Sequence, residues 1–454
     1  MAVRMKDMTR GKPLGLIVSF ALPLMVGNIF QQLYLVMDTA VVGKALGVDA
    51  LAALGACDWL NWVMLGIIQG ITQGFSIPMA QLFGARKENE LRQVVGCSLI
   101  LSALCAVGLV VLGQTMLLPM LRLLNTPVAI QADAMSYLRV IYAGLPIVMA
   151  YNLFACVLRA LGDGQTPLRA MVVASFTNIG LDLLFVLKFH WGIGGAALAT
   201  VIAQGCSSIF CLYYIVRNPI LRLHRGDFVL PRHRVVRLFR LGTPMGIQNL
   251  MIAAGGMIVQ SVANQFGVSF LGGYTAANKL YGLMEAAACA YGYAMVTYVG
   301  QNAGAGHFRR VRSGFRWAML VALLTSVAIM VTLLVFGRPI LSCFISGTPQ
   351  EVEDSMKIAY YNLAVMSSAL PLLYTLYVAR SATQGLGNTV LPMVSGVAEL
   401  AFRTVTSLTL PRIIGPIGIC YPEIMAWLGS TLVLVPSYFV TVRKAEKTGG
   451  VLEK

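Results

Sequence analysis

MVVASFTNIGLDLLFVL, residues 171–187, is apolar and, with its flanks, long enough to cross a bilayer, yet Asn178 and Asp182 stand in its middle. An ionised carboxylate at that depth costs roughly 2.5–3.5 kcal/mol on insertion scales. Four residues apart on a helix, the amide and the carboxylate stack on one face and can share a cation or a proton. A membrane helix that accepts this cost is expected to line a polar cavity rather than to face lipid. The competing reading is an acid that only locks helices together through interhelical hydrogen bonds.

Composition places the whole chain in a membrane. Of 454 residues, 57% are hydrophobic and 11% charged, against roughly 25% charged in soluble domains. Apolar segments of membrane-spanning length fall near 14–42, 51–79, 94–118, 135–158, 168–188 and 193–216. Six more fall near 241–267, 274–301, 315–337, 358–380, 390–411 and 415–441. The expected fold is therefore all-α and polytopic, with twelve transmembrane helices.

A formal charge of +16 in a soluble protein would suggest nucleic acid. Here most Lys and Arg crowd into alternate loops, at residues 4–12, 86–92, 159–169, 217–240, 309–316 and 443–454, and Arg380 is counted with them. The positive-inside bias makes that side cytoplasmic, puts both termini there, and removes the need for a nucleic-acid partner. The basic start leads into an apolar run too long for a cleaved signal, so it reads as a first span in the plasma membrane.

The polar stretch around 217–240 divides the chain into an N-terminal lobe, 1–225, and a C-terminal lobe, 226–454, of six spans each. The halves repeat one another at an offset of roughly 220 residues. Pro23 matches Pro244, Gln81–Lys87 matches Gln301–His307, and Leu145-Pro146 matches Leu370-Pro371. Leu161–Pro167 matches Leu386–Pro392, and Gly192 and Gly195 match Gly415 and Gly418. An even number of spans per half makes the repeat parallel.

Asp38 lies late in the first span, with Tyr34 one turn earlier on the same face and Pro23 placed to bend the helix. It reads either as an ion- or proton-binding acid or as an acid near the outer interface, where solvation makes it cheap. If Asp38 and Asp182 approach, like-charge repulsion and desolvation raise at least one pKa and the pair titrates as a unit. Tyr137, Asn178 and Thr200 are candidate hydrogen-bond partners. In the second half, Glu285 stands in an Ala-rich span as a candidate cavity acid. Glu399 and Arg403, spaced i,i+4, read as a structural ion pair within one helix. At the repeat-equivalent positions of Asn178 and Asp182 stand Arg403 and Ser407, so cation chemistry of that helix is confined to the first half.

Templates of soluble chemistry are missing. The sequence has no Walker GxxxxGK[ST], no GxSxG and no HExxH, so it is read as neither an ATP-driven pump nor an enzyme. An Asp38–Asp182 intramembrane catalytic dyad would call for a GxGD-type signature, which is also missing. Nine scattered cysteines and four histidines (His190, His224, His233 and His307) form no ligand pattern, so no cofactor or structural metal is expected.

Taken together, the first-span Pro and Asp38, the GAR loop at Gly84–Arg86, the LGD-x-x-TP turn, NIGLDLLFV at Asn178–Val186 and the six-plus-six repeat resemble the multidrug and toxic compound extrusion (MATE) transporters. The resemblance covers essentially the whole chain. It implies an antiporter that expels small organic, often cationic, compounds in exchange for H⁺ or Na⁺, as a monomer of two six-helix bundles around a V-shaped cavity. It also implies a cation site at Asp38, Asn178 and Asp182, with Tyr34, Tyr137 and Thr200 around it and Glu285 as a second-half acid. The Glu399–Arg403 pair resembles those of the prokaryotic DNA-damage-inducible branch. A lipid-linked oligosaccharide flippase is the alternative of related architecture.

Overall fold

The computed structural model describes residues 5–123, 126–342, 345 and 349–448. Within them, the side chains of 33–40, 44, 48, 49, 51, 123, 268, 269, 349 and 351 lie outside the description. Among the described residues there is no strand.

The first half contains α1 (Pro13–Leu46), α2 (Val48–Gly84), α3 (Glu88–Leu123), α4 (Val128–Ala143), α5 (Leu145–Ala160), α6 (Gln165–Asp182) and α7 (Gly192–Val216). The second half contains α8 (Arg232–Ala263), α9 (Val268–Gly304), α10 (Phe308–Ser342), α11 (Pro349–Ser368), α12 (Leu370–Gly385), α13 (Val390–Ile414) and α14 (Pro422–Lys447). Two of these breaks have one cause. Pro146 and Pro371 stand in the first turns of α5 and α12, where proline cannot continue the preceding ladder. The paired helices bend by 48° between α4 and α5 and by 47° between α11 and α12. The internal repeat is thus built into the backbone. With each bent pair as one span, the chain makes six spans and six more.

Among the described residues, eight helices are apolar and long enough to cross a membrane on their own, and the two bent pairs bring the number to ten. The other two, α9 and α13, carry Asn278, Lys279 and Glu285, and Glu399, Arg403 and Arg412. Those polar residues hold their mean hydropathy down.

The chain forms two compact units. The first comprises Met1–Arg10 and Leu22–Gly246, and the second Gly11–Ala21 and Ile247–Lys454. Both divisions fall inside helices near a proline: α1 divides between Ala21 and Leu22, one residue short of Pro23, and α8 after Gly246, two residues past Pro244. In the first unit, α7 packs against α4, α5 and α6, and α2 against α3, α4 and α5. Its core includes Ile68, Leu121, Leu138 and Tyr142. In the second unit, α12 packs against α9, α10 and α14, and α13 lies along α14.

Within the first unit, α2 meets the start of α8 through paired glycines. A Cβ on Gly70 would lie 2.4 Å from the Gly246 nitrogen, and one on Gly74 would lie 2.4 Å from Gly242 Cα. Two GxxxG faces therefore pack backbone to backbone. Gly70→Val is expected to lower stability by about 1–3 kcal/mol, because backbone has to move. Gly108→Ala, with nothing within 4 Å of its Cβ, is expected to leave the thermal midpoint in detergent unchanged. Equal midpoints for the two variants would contradict this packing.

Candidate functional site

The α6 helix presents one polar face to α7. Ser175, Asn178 and Asp182 follow at i, i+3 and i+7, and all three are buried, Asn178 at 1% and Asp182 at 0% exposure. On α7, Thr200, Gln204 and Ser207 repeat the same period. The two rows meet: Asn178 Nδ2 donates to Thr200 Oγ1 at 3.4 Å, and Ser207 Oγ donates to the Ala170 carbonyl at 2.9 Å. Asn178 Oδ1 has no hydrogen-bond partner among the described residues.

Asp182 is the last residue of α6 before the helix widens into a π segment, Leu183–Lys188. Such widenings are frequent at functional sites, since the extra residue re-aims neighbouring side chains. Phe185 and Trp191, with ring centroids 4.8 Å apart, close the end of the segment. Tyr137 on α4 is buried in the same unit. The backbone of α1 runs through Tyr34 and Asp38, whose side chains lie outside the described residues. The structure thus joins Asn178 to Thr200 and places Asp182 on the same buried face.

Next to this seam lies a cavity of about 20 Å³, bounded by Gln31, Tyr151, Ser175, Gln204 and Ser207. That is room for about one water molecule. The sequence reading overlooked Gln31, Ser175, Gln204 and Ser207. The signal was present as a second polar row at helical spacing on α7.

The second unit holds a chain of buried charges. Glu399 accepts a hydrogen bond from Arg380 Nη2, and its other oxygen stands 4.0 Å from Arg403. Arg403 is tied more closely elsewhere, to Glu423 Oε2 at 2.6 Å and to the Ile252 carbonyl at 2.9 Å. Gly255 gives the side chain room, since a Cβ there would lie 2.9 Å from Arg403 Cδ. Arg380, counted above among cytoplasmic loop charges, is a buried member of α12 and donates also to Ser430 Oγ at 3.3 Å. The i,i+4 pair is therefore the longest link in a four-residue network across α12, α13 and α14.

Glu285 on α9 is partly buried and accepts a hydrogen bond from Tyr377 Oη at 2.6 Å. A groove of about 450 Å³ opens beside the α11–α12 bend, bounded by Tyr361, Ala364, Val365, Ala369, Tyr421 and Ile424. Among the described residues, no cluster of His, Cys, Asp and Glu has the make-up of a metal site.

A family model described as MatE matches residues 23–184 and again residues 244–409. The chain belongs to the MatE family. The two matches start at Pro23 and Pro244, so the family pattern itself occurs twice. This MatE chain is 30% identical over 344 residues to the probable multidrug resistance protein YpnP of Bacillus subtilis, covering 75% of this chain and 76% of that one. It is 26% identical over 388 residues to the probable multidrug resistance protein NorM of Thermotoga maritima, covering 83% and 81%. Its fold superposes on a crystal structure of a MATE protein in complex with MaL6 with a TM-score of 0.88 at 22% identity, over 97% of this chain and 99% of that one. MatE proteins are membrane transporters of small molecules, and the twelve-span, two-bundle helical fold is theirs.

Proposed function

We propose that this MatE chain exports organic, cationic or amphiphilic compounds in exchange for H⁺ or Na⁺. The observation that carries the proposal is the fully buried Asp182, one turn from Asn178 and its Thr200 partner, in a chain whose relatives are named as multidrug resistance proteins. Asp182, Asn178 Oδ1 and Thr200 Oγ1 offer hard oxygen donors suited to a small cation, and the carboxylate alone suits a proton. Asp38 is proposed as the second acid, with Tyr34 and Tyr137 as its candidate partners and Pro23, inside α1, as the residue that lets that helix bend. Glu285 and the tyrosine-lined groove of the second unit supply acid and aromatic surface for a cationic amphiphile.

Exchange follows from competition. The ion binds the deprotonated Asp182 cluster in the outward-facing state and favours substrate release. It leaves in the inward-facing state, where substrate binds. Coupling requires that ion and substrate differ in their affinity for the two states. The protein works as a monomer in the plasma membrane, both termini cytoplasmic. The flippase alternative gains no support from the relatives.

The test is efflux of a fluorescent organic cation from proteoliposomes under an imposed pH gradient and then a Na⁺ gradient. One gradient is expected to drive export and so to identify the ion. Equal rates with and without either gradient would overturn ion coupling.

A further inference from the structure

The loop between α7 and α8 is built in a way that the transport reading does not use. Residues 217–240 contain seven arginines and a single acid, Asp227. That acid is turned inward: it is buried and accepts from the His224 backbone nitrogen at 2.8 Å. Arg222, Arg225 and Arg232 are exposed and make no ion pair among the described residues. Between them stand three consecutive apolar side chains in the open, Phe228 (45%), Val229 (41%) and Leu230 (45%). Three exposed apolar residues after a tight turn, flanked in sequence by exposed arginines, are costly in water.

Depth gives them a setting. The turn at Arg225–Asp227 is pressed onto α3, where a Cβ on Gly96 would lie 2.3 Å from the Asp227 carbonyl oxygen. With 36 residues, α3 is about 54 Å long and overhangs a hydrocarbon core of about 30 Å by roughly 12 Å at each end. Gly96 follows Glu88, the first residue of α3, by eight positions, again about 12 Å. The α3 sequence agrees, since its apolar run begins at Val94. Phe228–Leu230 therefore leave the turn at the boundary between headgroups and acyl chains.

We propose that the Arg222–Arg232 loop is a docking site for anionic phospholipid. Arg222, Arg225 and Arg232 bind headgroup phosphates of the adjacent leaflet, and Phe228, Val229 and Leu230 are seated at the start of its acyl region. Charge complementarity selects the partner, and the apolar triplet selects a leaflet over a soluble anion. The site rests on the membrane fold and is independent of the transported ion.

Hydrogen–deuterium exchange over residues 222–231 tests this, with the full chain in nanodiscs of phosphatidylcholine alone or with added phosphatidylglycerol. Phosphatidylglycerol is expected to slow exchange severalfold in wild type, and raised salt to reverse the slowing. One arginine near an anionic surface contributes roughly fivefold to partitioning, so three give roughly a hundredfold. The variant carrying Arg222→Gln, Arg225→Gln and Arg232→Gln should therefore show no slowing at all. Replacing Phe228, Val229 and Leu230 by Ser should remove protection of the triplet while α7 and α8 exchange as before. Equal exchange in the two bilayers would overturn the proposal. So would slowing in neutral discs by inorganic phosphate alone, or unchanged protection in the Ser variant.

Discussion

Asp182→Asn is expected to lose ion-coupled efflux by a factor on the order of 5–150, the range of a single coupling free energy, while inserting and folding normally. Asp182 is wholly buried, and the substitution keeps its shape while removing the charge proposed to bind the ion. A neutral amide at that depth is cheaper than a carboxylate, so stability is held or raised. Thr200→Val, which removes the hydroxyl that accepts from Asn178 at 3.4 Å, is expected to weaken the ion rather than abolish exchange. It should shift the ion concentration for half-maximal efflux upward at little cost in maximal rate. Proteoliposome efflux beside a thermal-melt control separates the two effects. Wild-type rates in Asp182→Asn would remove Asp182 from the coupling site.

Glu399→Leu is expected to destabilise the protein by about 3–5 kcal/mol, the cost of leaving one partner of a buried pair uncompensated. Arg380 and Glu399 have side chains 9% and 3% exposed, and Glu399 faces a second guanidinium, that of Arg403, at 4.0 Å. Arg403 keeps Glu423 and the Ile252 carbonyl, so the loss falls chiefly on Arg380. The double variant Arg380→Met with Glu399→Leu is therefore expected to recover most of the stability, since buried pairs exchange for apolar residues at little net cost. A double-mutant cycle in detergent reads the coupling directly. Additive losses would show that the two side chains do not depend on each other.

The fold was legible because it rests on long-range composition. Span length, alternating loop charge and the offset between Pro146 and Pro371 are each written in the sequence, and the matched bends of 48° and 47° follow from the two prolines. Asn178 and Asp182 were legible because polar residues stand out in an apolar helix. What escaped was partnership. Sequence spacing pairs Glu399 with Arg403 within one helix, but it carries no signal that α12 and α14 bring Arg380 and Glu423 closer. Arg380 lies near the end of its span, where a buried arginine and a loop arginine look alike in sequence. Gln204 and Ser207 were passed over because small polar residues in membrane helices commonly bond their own backbone. Only the facing row on α6 turns them into part of a seam.

Ion release evoked by substrate is the direct readout of exchange at Asp182. Adding an organic cation to the purified protein in weakly buffered or low-Na⁺ solution should displace close to one H⁺ or Na⁺ per bound substrate from wild type and none from Asp182→Asn. Substrate binding with no ion released from wild type, or equal release from the variant, would contradict exchange by competition at Asp182.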